Sequence, residues 1–362
     1  MLTVSFLSGI IVIVLIGRCQ RESSFHVKPP EKPIVRENFS AYAETHVGAI
    51  ISYHSFAPLM RETLIIFLPM RSGGTEIIMS KEIVIQNERL KVTVTTKGAE
   101  IISVLKDGTE QIWEGNPDIW AGHAPILFPI CGGLKDDKFI YLGKEYILEK
   151  HGFARHLEFE IESAGKEKAV FLLKSNAKTL ESYPFDFEFR IIYTLDGSRI
   201  DIEYDVKNLT DGEMYFTVGS HEAYACPEGI ENYSIVFEKK ETLKANIVNG
   251  NLIEYETEDI LDNADTLPLK EKYFKIDALV FQDIKSRKLW LKNNINGKET
   301  EVDFDGFGHL LLWQKQGAKY ICIEPWCGVP DFVDSDYDIT KKKSIISLKK
   351  AGRKVLKHSI TF

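Results

Sequence analysis

The chain has 362 residues, 44% of them apolar and 11% aromatic, enough to bury the core of one large domain or two medium ones. A net charge of −8 argues against nucleic acid as a partner, and Lys341-Lys342-Lys343 is too short a basic run to change that. The five cysteines are odd in number, widely spaced and free of any CxxC, which argues against a disulfide framework or zinc knuckle and fits a reducing, cytoplasmic setting.

Leu2–Gly17 is a mostly apolar run, slightly short of the roughly 20 residues that a bilayer span takes. Arg18 and Arg21 follow it and no basic residue precedes it, the reverse of a secretory signal. If it inserts, the arginines favour a cytoplasmic C-terminal side, so a membrane is a partner only if this segment is real. Residues 20–78 show no steady period, and Pro29, Pro30 and Pro33 break any element there. Residues 1–78 therefore read as an extension outside the folded domain, either disordered or the product of a mis-called start, with the natural start at Met79. Gly73-Gly74 fits an upstream ribosome-binding sequence; GGAGGU is the expected reading of codons 73 and 74, and other glycine codons there would remove the support.

From Met79 the pattern is all-β, one domain over 79–362. Leu90, Val92 and Val94 alternate with polar neighbours, as do Phe185, Phe187, Phe189, Ile191 and Tyr193, and then Ile200, Ile202, Tyr204 and Val206. Asp-Gly and Asn-Gly pairs recur at 107, 196, 211, 249, 296 and 305, and accept the positive φ that closes hairpins. The clearest hairpin runs Phe185–Leu195, Asp196-Gly197, Arg199–Val206. Pro268 limits any helix over Leu261–Leu269, so helices should be few and short. Many short strands with close turns predict a large sandwich or a barrel-like closed sheet, with a ligand on a concave face.

Five stretches carry the candidate chemistry. Trp120–Gly133 reads as a buried crossing strand, with His123 structural. His151 precedes Gly152, where a ligand could approach closely, though a surface turn histidine fits equally. His221 follows the apolar run Tyr215–Val218 and so sits at a strand end, as a site histidine or a hydrogen-bonded rim residue. Asp277 opens the apolar stretch Ala278–Phe281, as a site carboxylate or a turn cap. Tyr320–Gly328 reads as a strand with Tyr320, Cys322 and Glu324 on one face, Ile321 and Ile323 on the other, and pairing that stops at Pro325. Glu324 at an apolar, aromatic strand end suits a general base or, more simply, a rim ion pair. Cys131, Cys226 and Cys327 lack a basic neighbour that would make a thiolate. His151, His221 and Glu324 form a possible metal-ligand set, but no HxH or HExxH spacing supports it. No glycine-rich phosphate loop or nucleophile elbow occurs. Histidine plus glutamate without a cofactor motif suits proton transfer.

These stretches resemble the aldose 1-epimerase (mutarotase) family, most closely its LacX-like branch. The matching pieces are Gly98–Ser103, Ile112-Trp113, Pro125–Pro129, His151–Arg155, Gly219–His221, Asp277–Phe281 and Cys322–Trp326, in the family's order. The resemblance covers nearly all of 79–362 and none of 1–78. It implies a large antiparallel β-sandwich of the galactose mutarotase type that interconverts the anomers of a free aldose, a small-molecule partner, with no metal or organic cofactor. Carried over by motif, Glu324 is the base that takes the C1 hydroxyl proton and His221 the acid that protonates the ring oxygen. His151 and Asp277 contact the sugar, and Trp313 or Trp326 stacks on its ring. Two departures bear on the substrate. Gly133 stands where many members have a sugar-contacting arginine, for which Lys135 is the nearest substitute. Glu222 replaces a common proline and adds a charge expected to raise His221's proton affinity. A hexose-6-phosphate 1-epimerase and a non-catalytic sugar-binding module are the alternatives; the oligomeric state is not readable.

Overall fold

The structure, a computed structural model, describes residues 80–362 except residue 283 and, before them, only the backbone of four strands: Leu2–Leu7, Ile10–Ile16, Ala49–Tyr53 and Glu62–Pro69. These four pair antiparallel with one another. Apart from them, the expectations for residues 1–78 lie outside the described residues. Chain contacts divide the molecule into Met1–Ile78 and Met79–Phe362. Among the described residues no helix is long and apolar enough to cross a membrane.

The unit from Met79 is all-β, as the alternation predicts. Its main sheet has thirteen strands. One half runs Glu160–Ala164, Lys168–Lys174, Phe187–Asp196, Arg199–Asn208 and Arg353–Thr361. The other continues through Glu299–Asp303, Lys288–Asn293, Tyr233–Asn249, Leu279–Phe281, His309–Trp313, Tyr320–Trp326 and Glu222–Ala225, and Leu252–Pro268 joins it off this path by pairing with Tyr233–Asn249. A four-stranded meander, Glu82–Gln86, Leu90–Thr95, Ile101–Lys106 and Thr109–Glu110, is the largest of the accompanying sheets in this unit. Ile85, Val92 and Val94 of the meander share one apolar core with Phe187, Phe189, Ile191 and Ile202 of the main sheet, the arrangement of a sandwich. Period two is the cause: Phe187, Phe189, Ile191 and Tyr193 are buried, while Arg190 on the other face pairs with Glu162 and Glu188. The α-helix Ala177–Ser182, capped by Asn176, is short, as expected.

Three local expectations change. In the Phe187–Asp196/Arg199–Asn208 hairpin, Asp196 pairs with Arg199, so the two loop residues are Gly197 and Ser198. Leu261–Leu269 is not helical: Leu252–Pro268 is one long strand paired along Tyr233–Asn249, and that partner overrides local preference. Nor does pairing stop at Pro325. The ladder with His309–Trp313 continues to Trp326. The Pro325 carbonyl accepts from Ser220 N, so its ring nitrogen faces that same side, where the Glu222–Ala225 ladder has already ended at Ile323.

The basic run also divides. Lys341 is exposed on Asp336 and Asp338, whereas the Lys342 side chain is 3% exposed and bonds Asp331 Oδ1 at 2.7 Å and the Val329 carbonyl at 2.8 Å. This buried pair anchors the loop after Trp326, because Asp331 also accepts from Lys135 N. Removing one partner strands the other charge. Lys342→Met is expected to cost about 3–5 kcal/mol in urea unfolding, with Lys341→Ala leaving the midpoint unmoved. Equal midpoints for both variants would contradict the role of the pair.

Candidate functional site

Two adjacent strands bring the central pair together. Glu222 pairs with Ile323 and Ala223 with Cys322 in antiparallel register. One step further, His221 lies across from Glu324, on the face that also carries Ala223 and Cys322. His221 Nε2 stands 3.4 Å from Glu324 Oε2, and both side chains are nearly buried. On the other side of Glu324 the register runs to Leu311 and then Val280, so His221, Glu324, Leu311 and Val280 form a row across four strands. That row lies along a cleft of about 800 Å³, roomy enough for a monosaccharide.

The crossing segment sets both histidines. It is buried, as expected, but it is not a strand. Leu127 makes a two-way bridge with Gly219, and the Phe128 carbonyl accepts from Phe153 N and Ala154 N. It therefore ties the His151 turn to the stretch that carries His221. Gly219 bridges on to Trp326, closing the set. His151 has φ +68°, and a Cβ at Gly152 (φ +67°) would lie 2.5 Å from the Phe128 carbonyl oxygen. Chain packing, not ligand approach, thus explains Gly152. His151 is buried rather than a surface turn residue. Its Nδ1 accepts from Gly132 N at 3.1 Å, so in the neutral ring the proton sits on Nε2 as a donor.

Asp277 lines the same cleft. Oδ2 is 3.8 Å from Lys150 Nζ, and Oδ1 takes the Ala278 N–H, so the cap reading also holds. Trp313 is half-buried, edge-on to His221 at 5.6 Å. Trp326 borders the cleft but is 2% exposed, donates its indole N–H to the Ser220 carbonyl and packs edge-on against His151. Trp120, not singled out by the sequence, stacks on His221 at 5.3 Å; an isolated tryptophan in an irregular segment gives no periodic signal. His123, read as structural, also borders the cleft, with its backbone N–H bonded to Glu100.

Burial dominates the electrostatics. It pushes Glu324 well above the ordinary carboxylate range, with Lys150 opposing and Asp277 and Glu222 reinforcing. It pushes His221 down to about 3, with Lys150 and Arg155 adding to the fall. His151 is lowered by burial, then by His221, Lys150 and Arg155. The expected effect of Glu222 on His221 is not what the structure shows. Strand alternation turns Glu222 to the opposite face, where it meets His358 at 3.2 Å, and its charge acts on Glu324 instead. Lys135 does not replace the arginine missing at Gly133: its Nζ bonds the Ser335 carbonyl and sits over Tyr337. A side chain at 133 would strike Asn251, 2.6 Å from a Cβ there. The cations that line the cleft are Lys97, Lys150 and Arg155. Of the possible metal-ligand set, the structure groups His221 and Glu324 with Cys322 rather than with His151.

A family model described as aldose 1-epimerase matches residues 81–350. Protein LacX (plasmid) of Lactococcus lactis subsp. lactis is 37% identical over 260 residues, 68% of this chain and 87% of that protein. A galactose mutarotase related enzyme from Lactobacillus acidophilus has a similar structure, with TM-score 0.74 and 33% identity over 78% of this chain and 97% of that one. A galactose mutarotase-like protein from Lactobacillus casei also superposes, with TM-score 0.74 and 26% identity over 78% and 99%.

Gly219 is the residue whose replacement tests the bridged set: a Cβ there would lie 2.5 Å from Trp326 Cδ1 and 2.9 Å from Cys131 Sγ. Gly219→Ala should shift the His221 and Trp326 segments apart and lower any turnover by about 10²-fold, with circular dichroism unchanged. Full turnover in the variant would show that the bridge does not hold the pair.

Proposed function

The chain belongs to the aldose 1-epimerase family, and from that premise we propose that it interconverts the α and β anomers of a free aldose through His221 and Glu324. The observation that carries this reading is the 3.4 Å approach of an imidazole and a carboxyl group at the floor of a sugar-sized cleft. The two oxygens of a hemiacetal share one carbon, so an acid and a base that serve both must converge on one point.

In the reaction, the proton that burial keeps on Glu324 first passes to His221, and the Glu324 carboxylate then takes the proton of the C1 hydroxyl. The C1 carbonyl forms as the C1–ring oxygen bond breaks, and the ring oxygen takes the proton from His221 Nε2. Rotation about C1–C2 and the reverse steps close the ring from the other face. One proton shared by the pair is sufficient, because it leaves from His221 and a second arrives at Glu324 in the same turnover. Ring opening therefore ends with both groups neutral, the state that burial favours. In this reading His151 Nε2–H donates to the sugar, Asp277 accepts from its hydroxyls, and Trp313, half-buried where Trp326 is buried, is the better candidate to stack on the ring. Four buried or half-buried free thiols, Cys131, Cys226, Cys322 and Cys327, support a reducing, cytoplasmic setting.

A second reading has an observation of its own. Lys97, Lys150 and Arg155 line the cleft of a protein whose net charge is −8, which suits an aldose bearing a phosphate. A sugar-binding module without turnover would need no matched acid and base.

Polarimetry on fresh α-glucose, α-galactose and their 6-phosphates tests these readings. Wild type should accelerate mutarotation, and Glu324→Gln should lower the rate about 10²–10⁴-fold. Acceleration confined to the phosphates, with KM raised by Arg155→Ala, would select the second reading. Saturable sugar binding with no acceleration would select the module. The pH profile has a definite sign. Activity should fall in acid, where His221, held near 3, takes a second proton and no base remains. It should fall in alkali, where the pair loses its last proton at a value that burial of Glu324 sets above the carboxylate range. An acid limb at the ordinary histidine pKa of about 6.5 would contradict this.

A further inference from the structure

We propose that His221, Cys322 and Glu324 form a divalent-cation site suited to zinc at the floor of the cleft, and that the cation excludes sugar from it. The site stands on three side chains; only its effect on turnover rests on the epimerase reading.

The geometry follows from the two strands. Cys322 and Glu324 are two residues apart on one strand and so face the same way, and register places His221 across from Glu324. One ligand atom from each of the three lies within 4.8 Å of the others. Around a tetrahedral zinc such atoms stand roughly 3.3–3.8 Å apart. His221 Nε2 and Glu324 Oε2, at 3.4 Å, already meet that spacing, and the Cys322 sulfur has about 1 Å to travel. The donors are one nitrogen, one sulfur and one oxygen. That mixture suits a borderline-soft ion and not magnesium or calcium, which take oxygen ligands. Cys322 is a free thiol, fully buried beneath the cleft, and the reaction proposed above does not use it. Three protein ligands leave a fourth position, on the side where His221 and Glu324 border the cleft. Binding transfers two protons to solvent, the Cys322 thiol proton and the one that the His221–Glu324 pair shares. The site differs from a resident zinc centre in one respect. His221 Nδ1 is buried and bonds no other residue among those described, whereas a zinc-bound imidazole ordinarily has its second nitrogen tied down by a neighbouring group. The ion is therefore exchangeable, and occupancy tracks free zinc.

Zinc should inhibit competitively with sugar, and cobalt added to the full chain should give a thiolate-to-cobalt charge-transfer band and the visible bands of tetrahedral Co²⁺. In Cys322→Ser the charge-transfer band should vanish and the zinc concentration that halves each protein's own uninhibited rate should rise roughly tenfold or more. Cys322→Ala provides the same comparison if serine disturbs the fold, and Cys327→Ser should behave as wild type. Unchanged inhibition and an unchanged cobalt spectrum in folded Cys322→Ser would overturn the site. A Cys322-dependent cobalt spectrum in a protein that does not accelerate mutarotation would uphold the site while removing the epimerase reading.

Discussion

The site depends on keeping two ionisable, nearly buried side chains 3.4 Å apart. In water such a pair would exchange protons with solvent and each member would keep its ordinary affinity. Here burial penalises the charged form of both, raising Glu324 and lowering His221, so that the pair's one proton rests on Glu324 with both groups neutral. A fold that provides this must hold both groups from rigid elements. It does so with neighbouring strands, where register fixes the facing residue and period two fixes the face.

The rest of the cleft is arranged around that constraint. The Phe128–Gly152 and Leu127–Gly219 bridges make one buried segment responsible for both histidines, so neither turn can shift alone. Glycine at 219 and 152 is dictated by backbone and side chains packed too closely for a Cβ. Behind the pair, Glu222 and His358 put a second ionisable contact on the opposite face, and its charge helps to keep the proton on Glu324. In front, Lys150 and Arg155 lower the affinity of His221 for a proton while Asp277 balances Lys150. Glycine at 133 leaves room for Asn251, and the positive charge in the cleft comes from Lys97, Lys150 and Arg155.

Much of this was legible in the sequence. Strict alternation through Phe187–Leu195 gave the buried faces, and the same rule separated Cys322 and Glu324 from Ile321 and Ile323, which pack into the main core. The motif stretches contain His151, His221, Asp277 and Glu324, which border the cleft, while Trp120 and Trp313, which border it too, lie outside them. Pairing was not legible. Nothing local says that residue 222 meets residue 323, and from that register come the contact of His221 with Glu324, the turn of Glu222 to the opposite, buried face and the grouping with Cys322. Nor does composition distinguish Lys342 from its exposed neighbours, since its burial is decided by Asp331 from another loop. The long strand Leu252–Pro268 was hidden for the same reason: its partner lies across a hairpin and overrides a weak local pattern.

The most direct test of this account is the titration of the His221 ring by NMR in the sugar-free protein, assigned by comparison with His221→Asn. The account predicts a neutral imidazole from pH 7 down to values near 3, because burial penalises the charged ring. A ring that becomes protonated near pH 6.5, with Glu324 ionised beside it, would show an ordinary ion pair and contradict the account.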